Sequence, residues 1–413
     1  MVKSSSMWRN ARLLLLLAAQ LASNTGDWLF TLALFVLIGI RWHGSPISIS
    51  VALVCNLVPS MVLGPVAGAV ADRANRKVLM ILSDVLSALL LLAIVAASSI
   101  LEIDALLLLL GAAEAFFSPA ELSLVKEAVP DAQMHQAMAV RTVINRGTKL
   151  LGPTLSGALV ALLGARAPFY IDAASFAAAA TFVLFLPSDG VRPRGGGVPA
   201  ERGPLLASSL SGLREIGRMA ALRRLALLYV ALLLGVNLVD AQFVVLLRGT
   251  AHAAVVLGLV MSLSGAGMAG AAALSMRRQR TTTRVQISVG AIVMGVSIAA
   301  EALLVWQHAT ALVPFAALVL GGGAAVSFIT LQTALQRRVP AEWTGRVMGS
   351  VRSLGSAAAI GGPLLGGLLV GRLGVGTTFL LSGGLLAATG VTTLLVRYGP
   401  EEVVERAEGA ADA

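Results

Sequence analysis

Residues 68–77 read GAVADRANRK and form a short polar loop between two apolar runs, residues 47–71 and 78–100. Each run is long enough to cross a bilayer, which takes about 20 helical residues. Similar runs recur along the chain without the apolar–polar alternation of barrel strands. The sequence therefore predicts an all-α integral membrane protein with twelve transmembrane helices. The predicted spans are residues 11–40, 47–71, 78–100, 104–125, 136–163, 168–187, 221–247, 253–276, 284–306, 310–335, 345–370 and 376–396.

The composition independently favours a membrane protein. Of the 413 residues, 57% are hydrophobic and 13% are charged, and the mean hydropathy is +0.86. Soluble domains are about a quarter charged, so this composition excludes a disordered protein, a nucleic-acid-binding module and an ordinary soluble enzyme. The single cysteine, Cys55, excludes an internal disulfide, and the histidines are scattered without metal-ligand spacing.

Lys and Arg residues set the expected orientation. Most of them lie in loops on the N-terminal side of the membrane, whereas the opposite loops hold Arg41, Arg166, Arg248 and Arg372. Positive charge marks the cytoplasmic side. We therefore expect a multi-pass protein of the cytoplasmic (plasma or inner) membrane with both termini in the cytoplasm. The formal net charge of +10 follows from this topology, so no nucleic-acid partner is expected.

An internal repeat divides the chain into two halves. Shifts of 210 and 213 residues pair Asn24 with Asn237, Asp27 with Asp240, Gly152-Pro153 with Gly362-Pro363, and Gly157 with Gly367. Parallel six-helix repeats are typical of transporters whose site lies between the halves. The predicted domains are an N-terminal six-helix bundle (1–187), a cytoplasmic linker with a surface helix (188–220), a C-terminal six-helix bundle (221–396) and a cytoplasmic tail (397–413).

The loop at residues 68–77 resembles the loop signature of the major facilitator superfamily, in which a Gly-x-x-x-Asp core precedes a basic cluster. Asn75 stands where the family has glycine, and asparagine also tolerates a left-handed turn. The resemblance implies the major facilitator fold and a latch between the halves on the cytoplasmic side. We expect the glycines of this gate motif to let helices approach and its aspartate to cap a helix N-terminus. The gate motif consists of Gly64, Gly68, Asp72, Arg73, Arg76 and Lys77, with Glu121 as a candidate partner.

Span five resembles the antiporter motif of the same superfamily through Gly147, Gly152, Pro153 and Gly157. Small residues permit tight helix packing, and Pro153 removes one backbone donor, so the motif serves either helix bending or packing alone. Span four departs from many drug/proton antiporters, because Leu106–Ala113 contains no arginine.

Three further patterns look like the efflux branch of the superfamily that includes macrolide and siderophore exporters. They are Gly26-Asp27-Trp28, Phe117-Ser118-Pro119-Ala120-Glu121, and the stretch from Pro168 to Ala173. The Ser-Pro-Ala element is also similar to the lysophospholipid transporters. The resemblance therefore implies export of amphiphilic small molecules and leaves a lipid-type transporter as the alternative.

Ionisable residues inside the spans are the candidate functional residues, because a charge at the centre of a bilayer costs about 2.5–3.5 kcal/mol. Asp27 lies near the middle of span one, and Asp240 lies well inside span seven as its repeat counterpart. The resemblance places both spans, with Asn24 and Asn237, at the central cavity. A carboxylate there either couples transport to protons or bonds statically to a neighbouring helix.

Three other charged residues, Glu114, Arg146 and Lys149, are expected near mid-depth. An ion pair of Glu114 with Lys149 or with Arg146 would lower the cost of burial, although Arg146 could instead reach the cytoplasmic interface. The acidic residues nearer the ends of spans are predicted to be interfacial or structural. They are Asp84, Asp172 and Glu301.

The predicted function is proton-driven export of an amphiphilic drug, macrolide or siderophore-like molecule by alternating access. The sequence contains no Gly-x4-Gly-Lys-Ser/Thr motif and no catalytic or metal constellation, so we expect neither a nucleotide-driven pump nor an enzyme. The proton gradient takes the place of a cofactor. The expected partners are the substrate, protons and the bilayer, and the protein is expected to be a monomer. A lateral entrance would favour the lipid-type alternative, whereas buried charges argue against a receptor or scaffold.

Overall fold

The computed structural model describes residues 10–129, 131–186, 214–275, 282–339 and 343–395. Twelve long helices run through these ranges, one for each predicted span, so the predicted all-α architecture is confirmed. They are α1 (Ala11–Phe35), α2 (Pro46–Arg73), α3 (Arg76–Ala96), α4 (Ile100–Ala128), α5 (Asp131–Leu163), α6 (Ala167–Leu184), α7 (Ala220–Asp240), α8 (Ala253–Ser275), α9 (Thr283–Trp306), α10 (Val313–Arg338), α11 (Thr344–Leu373) and α12 (Val375–Leu395). The shorter elements are a π-helix (Val36–Arg41), a one-turn helix (Phe243–Leu246) and a 3-10 helix (Thr310–Leu312).

Polar residues in the short connections set where the first helices begin. The side chains of Asn10, Ser45, Asn75 and Ser99 each accept a hydrogen bond from a backbone N–H in the first turn of α1, α2, α3 and α4. Each bond satisfies a donor that the helix itself cannot pair. The long apolar runs are therefore divided into separate helices by single capping residues.

The outer surface of the helices is apolar. Within the described residues, ten helical segments are long and apolar enough to cross a membrane by length and composition. Leu101, Leu162, Phe185 and Leu395 are between 70% and 81% exposed. Such continuous apolar exposure is unfavourable in water and is compatible with a lipid environment.

Backbone contacts group the chain into two units. The first contains α1–α6 and the segment Ala241–Ser262, and the second contains α7 and the chain from Leu263 onwards. In the first unit, α1 packs on α5 and α6, α4 packs on α2 and α3, and α3 packs on α6. In the second unit, α9 packs on α10 and α12, and α7 packs on α11 and α12.

Hydrogen bonds connect the segment Ala241–Ser262 to the region between the end of α1 and the start of α2. The buried amide of Gln242 donates to Ser50 Oγ at 2.8 Å. Arg248 donates through Nε to the carbonyl oxygen of Gly39 at 2.7 Å and through Nη2 to that of Gly44. These bonds explain why the segment groups with helices that lie far from it in sequence.

Glycine allows the closest helix contacts in both units. A Cβ on Gly111 of α4 would overlap the carbonyl oxygen of Asn56 on α2. A Cβ on Gly295 of α9 would overlap the carbonyl oxygen of Gly383 on α12. Close approach of backbones through glycine is a common mode of packing between membrane helices.

Parts of the predicted domain plan fall outside the described residues. These parts are residues 188–213 of the linker and the tail at 397–413. The last residues of the predicted linker are described, and residues 214–218 are helical. The predicted domain boundaries therefore stay a prediction.

Candidate functional site

Asp27 lies near the middle of the continuous helical segment Ala11–Arg41, about 24 Å from its start at about 1.5 Å per residue. The side chain is half-buried, and its neighbour Gly26 is buried. The Asp27 backbone carbonyl accepts a hydrogen bond from Thr31 Oγ1 at 2.8 Å.

Two more carboxylates lie near Asp27 within the first unit. Glu114 on α4 and Asp172 on α6 are each close enough to Asp27 for their charges to interact, and they also interact with each other. We call Asp27, Glu114 and Asp172 the carboxylate cluster. Among the described side chains, none of the three forms an ion pair. Like charges this close are costly when all are ionised, so a proton or a cation that joins the cluster is stabilised.

Gly26 creates the space that Asp172 occupies. A Cβ on Gly26 would overlap both Asp172 Oδ1 and Ser175 Oγ. Ser175 Oγ is within hydrogen-bonding distance of the carbonyl oxygen of Asp172 at 2.9 Å and of Asp172 Oδ1 at 3.1 Å. The absence of a side chain at residue 26 therefore brings the α6 carboxylate against the backbone of α1.

Three acidic residues that the sequence predicts to be interfacial or structural are buried, which favours the structural alternative. Asp84, Asp172 and Glu301 are each 1% exposed, because neighbouring helices cover them even where the sequence places them near the end of a span. Asp84 and Asp172 lie in the first unit, and Glu301 lies on α9 of the second unit, where its charge interacts with that of Asp240.

Lys149 does not form the predicted ion pair with Glu114. Its Nζ instead lies 5.2 Å from the centroid of the Trp28 ring, in cation–π geometry. The reason is the helix pairing: α5 packs on α1, so this side chain reaches the residue that follows Asp27. The side chain of Arg146 lies outside what the structure describes, and its expected pairing stays a prediction.

A second polar group lies nearer the end of the first unit at which α1 begins. Glu121 Oε2 on α4 accepts from Arg141 Nη2 on α5 at 2.8 Å. Arg141 Nε also donates to Gln20 Oε1 on α1 at 3.3 Å. The charge of Asp84 on α3 interacts with both Glu121 and Asp27. Asp84 therefore connects this second group with the carboxylate cluster.

Polar residues of α1 face both groups. Gln20, Asn24 and Asp27 are spaced four and three residues apart, which places them on one face of the helix. Asn24 Nδ2 is buried, and no hydrogen-bond partner for it lies among the described residues. The sequence analysis placed Asn24 and Asp27 together but missed Gln20, which extends them to a polar stripe on an otherwise apolar helix.

The gate motif makes contacts inside the first unit. Arg76 forms an ion pair with Glu127, and Lys77 Nζ donates to the carbonyl oxygens of Leu184 and Leu186 at 2.8 Å and 2.7 Å. These bonds tie the start of α3 to the ends of α4 and α6. Glu121 pairs with Arg141 and not with a residue of the motif, so its expected role as the motif's partner is wrong.

Other expectations for the gate motif also change. Asn75 has an extended backbone (φ −70°, ψ 107°) and caps α3, so the left-handed turn that asparagine tolerates is not used at this residue. No described atom lies within 4 Å of the position that a Cβ would take on Gly64 or Gly68. Close helix approach at these two glycines is therefore not observed. Asp72 is exposed, and its capping role stays a prediction.

The span-five motif packs α5 against its neighbours. A Cβ on Gly152 would overlap the Cβ of Trp28, and one on Gly157 would lie 3.3 Å from the Cα of Gly258. Pro153 lies inside α5, and Thr154 N donates to Ser262 Oγ at 3.0 Å. Gly147 has no described atom within 4 Å of its Cβ position. Gly152 and Gly157 thus act as contact points for α1 and α8.

The repeat counterparts lie in the second unit. Asn237 Nδ2 donates to the carbonyl oxygen of Leu233 at 2.8 Å, and a Cβ on Gly362 of α11 would lie 2.5 Å from the Cβ of Asn237. Asp240 is the last residue of α7 and is exposed, so it does not lie well inside the helix as expected. The helix ends there because the chain turns before the one-turn helix Phe243–Leu246.

A shallow apolar cavity, largely open on one side, lies between α1 and α6. Its volume is about 390 Å³. Gly26 and Ser175, which both contact Asp172, line the cavity together with apolar side chains of the two helices. The remaining lining residues are Ala18, Leu21, Ala22, Thr25, Leu29, Ile171 and Phe182. In the described part of the chain, no group of three or more His, Cys, Asp and Glu residues could hold a metal ion.

Twelve helices with apolar outer surfaces and buried carboxylates are typical of a polytopic membrane protein. The sequence profile of the Major Facilitator Superfamily matches residues 16–362. The chain therefore belongs to the Major Facilitator Superfamily, and the family resemblance of its loop motif is confirmed.

Similar proteins include efflux proteins. The chain is 33% identical to the uncharacterized MFS-type transporter YfiS of Bacillus subtilis, with 94% of each chain covered. It is 27% identical to the multidrug efflux pump Tap of Mycolicibacterium fortuitum, covering 89% of this chain and 91% of Tap. It is 24% identical to macrolide efflux protein A of Streptococcus pyogenes, covering 86% of this chain and 88% of that protein.

The fold is similar to that of solved transporters. The nucleoside transporter NupG superposes with a TM-score of 0.69 at 16% identity, covering 93% of this chain and 99% of that chain. At this identity the likeness shows the fold alone.

Proposed function

We propose that the chain is a proton-coupled transporter that exports amphiphilic small molecules by alternating access, with Asp27 as the coupling carboxylate. The observation that carries the proposal is the carboxylate cluster, in which Asp27 on α1 interacts with Glu114 and Asp172. Relatives whose names describe multidrug and macrolide efflux support the direction of transport and the class of substrate.

The cluster suggests how export and proton movement are coupled. A proton on the cluster removes one of several like charges, and an amphiphilic cation would remove one in the same way. Because both lower the same repulsion, they compete for the cluster. Proton uptake on the outside then releases a cation that was bound from the inside. Exchange of one proton for one monovalent cation moves no net charge, so the pH difference drives it and supplies about 1.4 kcal/mol per pH unit.

The proposal also covers topology and partners. The excess of Lys and Arg in the N-terminal-side loops supports both termini in the cytoplasm of a plasma or inner membrane. We propose that the protein works as a monomer and as an antiporter, with the proton gradient in place of a cofactor. It transports its substrate without chemical change.

The test is transport by purified protein in liposomes with an imposed pH gradient and ethidium as the amphiphilic cation. Asp27→Asn should abolish gradient-driven ethidium transport and leave the folded protein intact. The matched control is Glu102→Gln, which removes an exposed carboxylate from the first turn of α4. Gradient-driven transport by Asp27→Asn at the wild-type rate would refute the coupling role. Separately, proton-driven uptake into inverted vesicles, measured for macrolides, dyes, siderophores and lysolipids, would define the substrate.

The apolar cavity between α1 and α6 favours a second candidate, a lipid-type transporter. Its lining would suit an acyl chain, and Gly26 and Ser175 lie at its contact with Asp172. Ala22→Trp should fill part of the cavity. Loss of lysophospholipid movement with normal ethidium transport would favour the lipid-type transporter, and the opposite pattern would favour drug export.

A further inference from the structure

Asp84 is an ionisable residue that the coupling proposal has not used. It lies on α3, is 1% exposed, and neither of its carboxylate oxygens has a hydrogen-bond partner among the described residues. A carboxylate that is buried in this way loses its water without compensation, unless it binds a proton or another cation.

The basic residues around Asp84 are engaged elsewhere. Arg76 on the same helix pairs with Glu127, and Lys77 donates to backbone carbonyls at the end of α6. Arg141 on α5 binds Glu121 and Gln20. Among the described residues, the charged groups that interact with Asp84 are acidic: Asp27 from α1 and Glu121 from α4. The charged residue of α6 in this region, Asp172, is also acidic and belongs to the carboxylate cluster.

The helix ends show where Asp84 lies along the unit. Asn10 Nδ2 donates to the carbonyl oxygen of Ala128 at 2.7 Å, and Arg76 pairs with Glu127, so α1 and α3 begin where α4 ends. At about 1.5 Å per residue, Asp84 and Glu121 lie about 10–12 Å from that end, and Asp27 lies about 24 Å from it. Asp84 is therefore placed between the aqueous end of the unit and the carboxylate cluster.

We propose that Asp84 binds a proton and exchanges it with Asp27, as an intermediate site between the Glu121–Arg141 ion pair and the carboxylate cluster. This inference rests on the proposed proton coupling at Asp27. Because Asp84 and Asp27 differ by about 12 Å in their distance from the aqueous end of the unit, the proton passes through water between them. An O–H bond on the donor carboxyl breaks as one forms on the first water, the last water gives a proton to the other carboxyl, and the donor is left as a carboxylate. Asn24, whose buried amide has no partner among the described residues, lies on the same face of α1 as Asp27.

Infrared spectroscopy tests proton binding directly. The carbonyl band of protonated carboxylic acids should titrate with pH in the wild type, lose one component in Asp84→Asn, and keep that component in Asp27→Asn. The control Ser87→Ala alters another buried residue of α3 and should leave the band unchanged. Should Asp84→Asn not fold, Asp84→Ser takes its place. An unchanged band in the Asp84 variant would overturn the proposal. Loss of the band when sodium is added at constant pH would also overturn it, because the bound ion would then be a metal cation and not a proton.

Transport measurements separate a proton path from a structural role. Ethidium counterflow needs no net proton movement, so Asp84→Asn should slow pH-driven transport and leave counterflow intact. Asp84→Glu should restore pH-driven transport. Equal loss of both activities without rescue by glutamate would overturn the proposal. If Asp27→Asn is inactive and Asp84→Asn is normal, only the Asp84 proposal fails. If Asp27→Asn transports normally with the gradient, the proposed function fails instead.

Discussion

Gly26→Ala is the sharpest test of how α6 is seated against α1. The added methyl group would overlap Asp172 Oδ1 and Ser175 Oγ, two polar atoms that interact with each other at 3.1 Å. Overpacking of this kind costs about 1–3 kcal/mol. Replacing glycine by alanine inside a helix returns about 1 kcal/mol. The net effect should be a loss of up to about 2 kcal/mol in the free energy of unfolding.

Gly384→Ala provides the matched control. Gly384 lies inside α12, and no described atom lies within 4 Å of its Cβ position. This variant gains the helix propensity of alanine without the overlap, so it should be more stable by about 1 kcal/mol. The difference between the two variants isolates the overlap at Asp172.

The assay measures the stability of the purified variants in one detergent. Thermal unfolding gives the melting temperature, and denaturant titration gives the free energy of unfolding. Gly26→Ala should melt below the wild type and Gly384→Ala above it. In a background with both Asp172→Ala and Ser175→Ala, where the two overlapping oxygens are absent, Gly26→Ala should lose most of its effect. A Gly26→Ala variant that melts as high as Gly384→Ala would show that Asp172 does not lie against residue 26.

Two further predictions concern buried contacts of the first unit. Arg141→Leu leaves Glu121 buried without its counter-charge and should cost about 3–5 kcal/mol in stability. The double variant Glu121→Gln with Arg141→Leu should recover most of this loss. Equal melting temperatures for Arg141→Leu and the wild type would contradict the pairing. Ser156 is fully buried and donates to the carbonyl oxygen of Leu29 at 2.7 Å, so Ser156→Ala should cost about 1 kcal/mol. The exposed Ser353, which bonds within its own helix, should tolerate alanine, and equal losses at both serines would count against the α5–α1 contact.

The elements that the sequence predicted well are those set by local pattern. Apolar runs and the polar residues between them locate all twelve long helices, because each helix needs only its own residues and its cap. Counting along α1 is also enough to place Asp27 in the middle of a helix. These are one-dimensional properties, and the sequence contains them directly.

Contacts between helices could not be predicted in the same way. Depth in the membrane made Glu114 a reasonable partner for Lys149, but depth fixes only one coordinate of a side chain. The other coordinate is the face of the helix and the neighbour that it meets. Because α5 packs on α1, Lys149 meets the ring of Trp28 and leaves Glu114 to interact with Asp27.

The burial of Asp172 follows from a residue on another helix. Its position five residues after the start of α6 suggests an interfacial side chain. Gly26 has no side chain, however, so α1 packs close enough to bury Asp172. The polar stripe of α1 offers a better guide than any single charge. One polar residue can bond to its own helix, but Gln20, Asn24 and Asp27 on one face need partners on neighbouring helices. The observed partners of Gln20 and Asp27 are Arg141 on α5 and carboxylates on α4 and α6, so the stripe marks the face of α1 on which the polar interior of the unit is built.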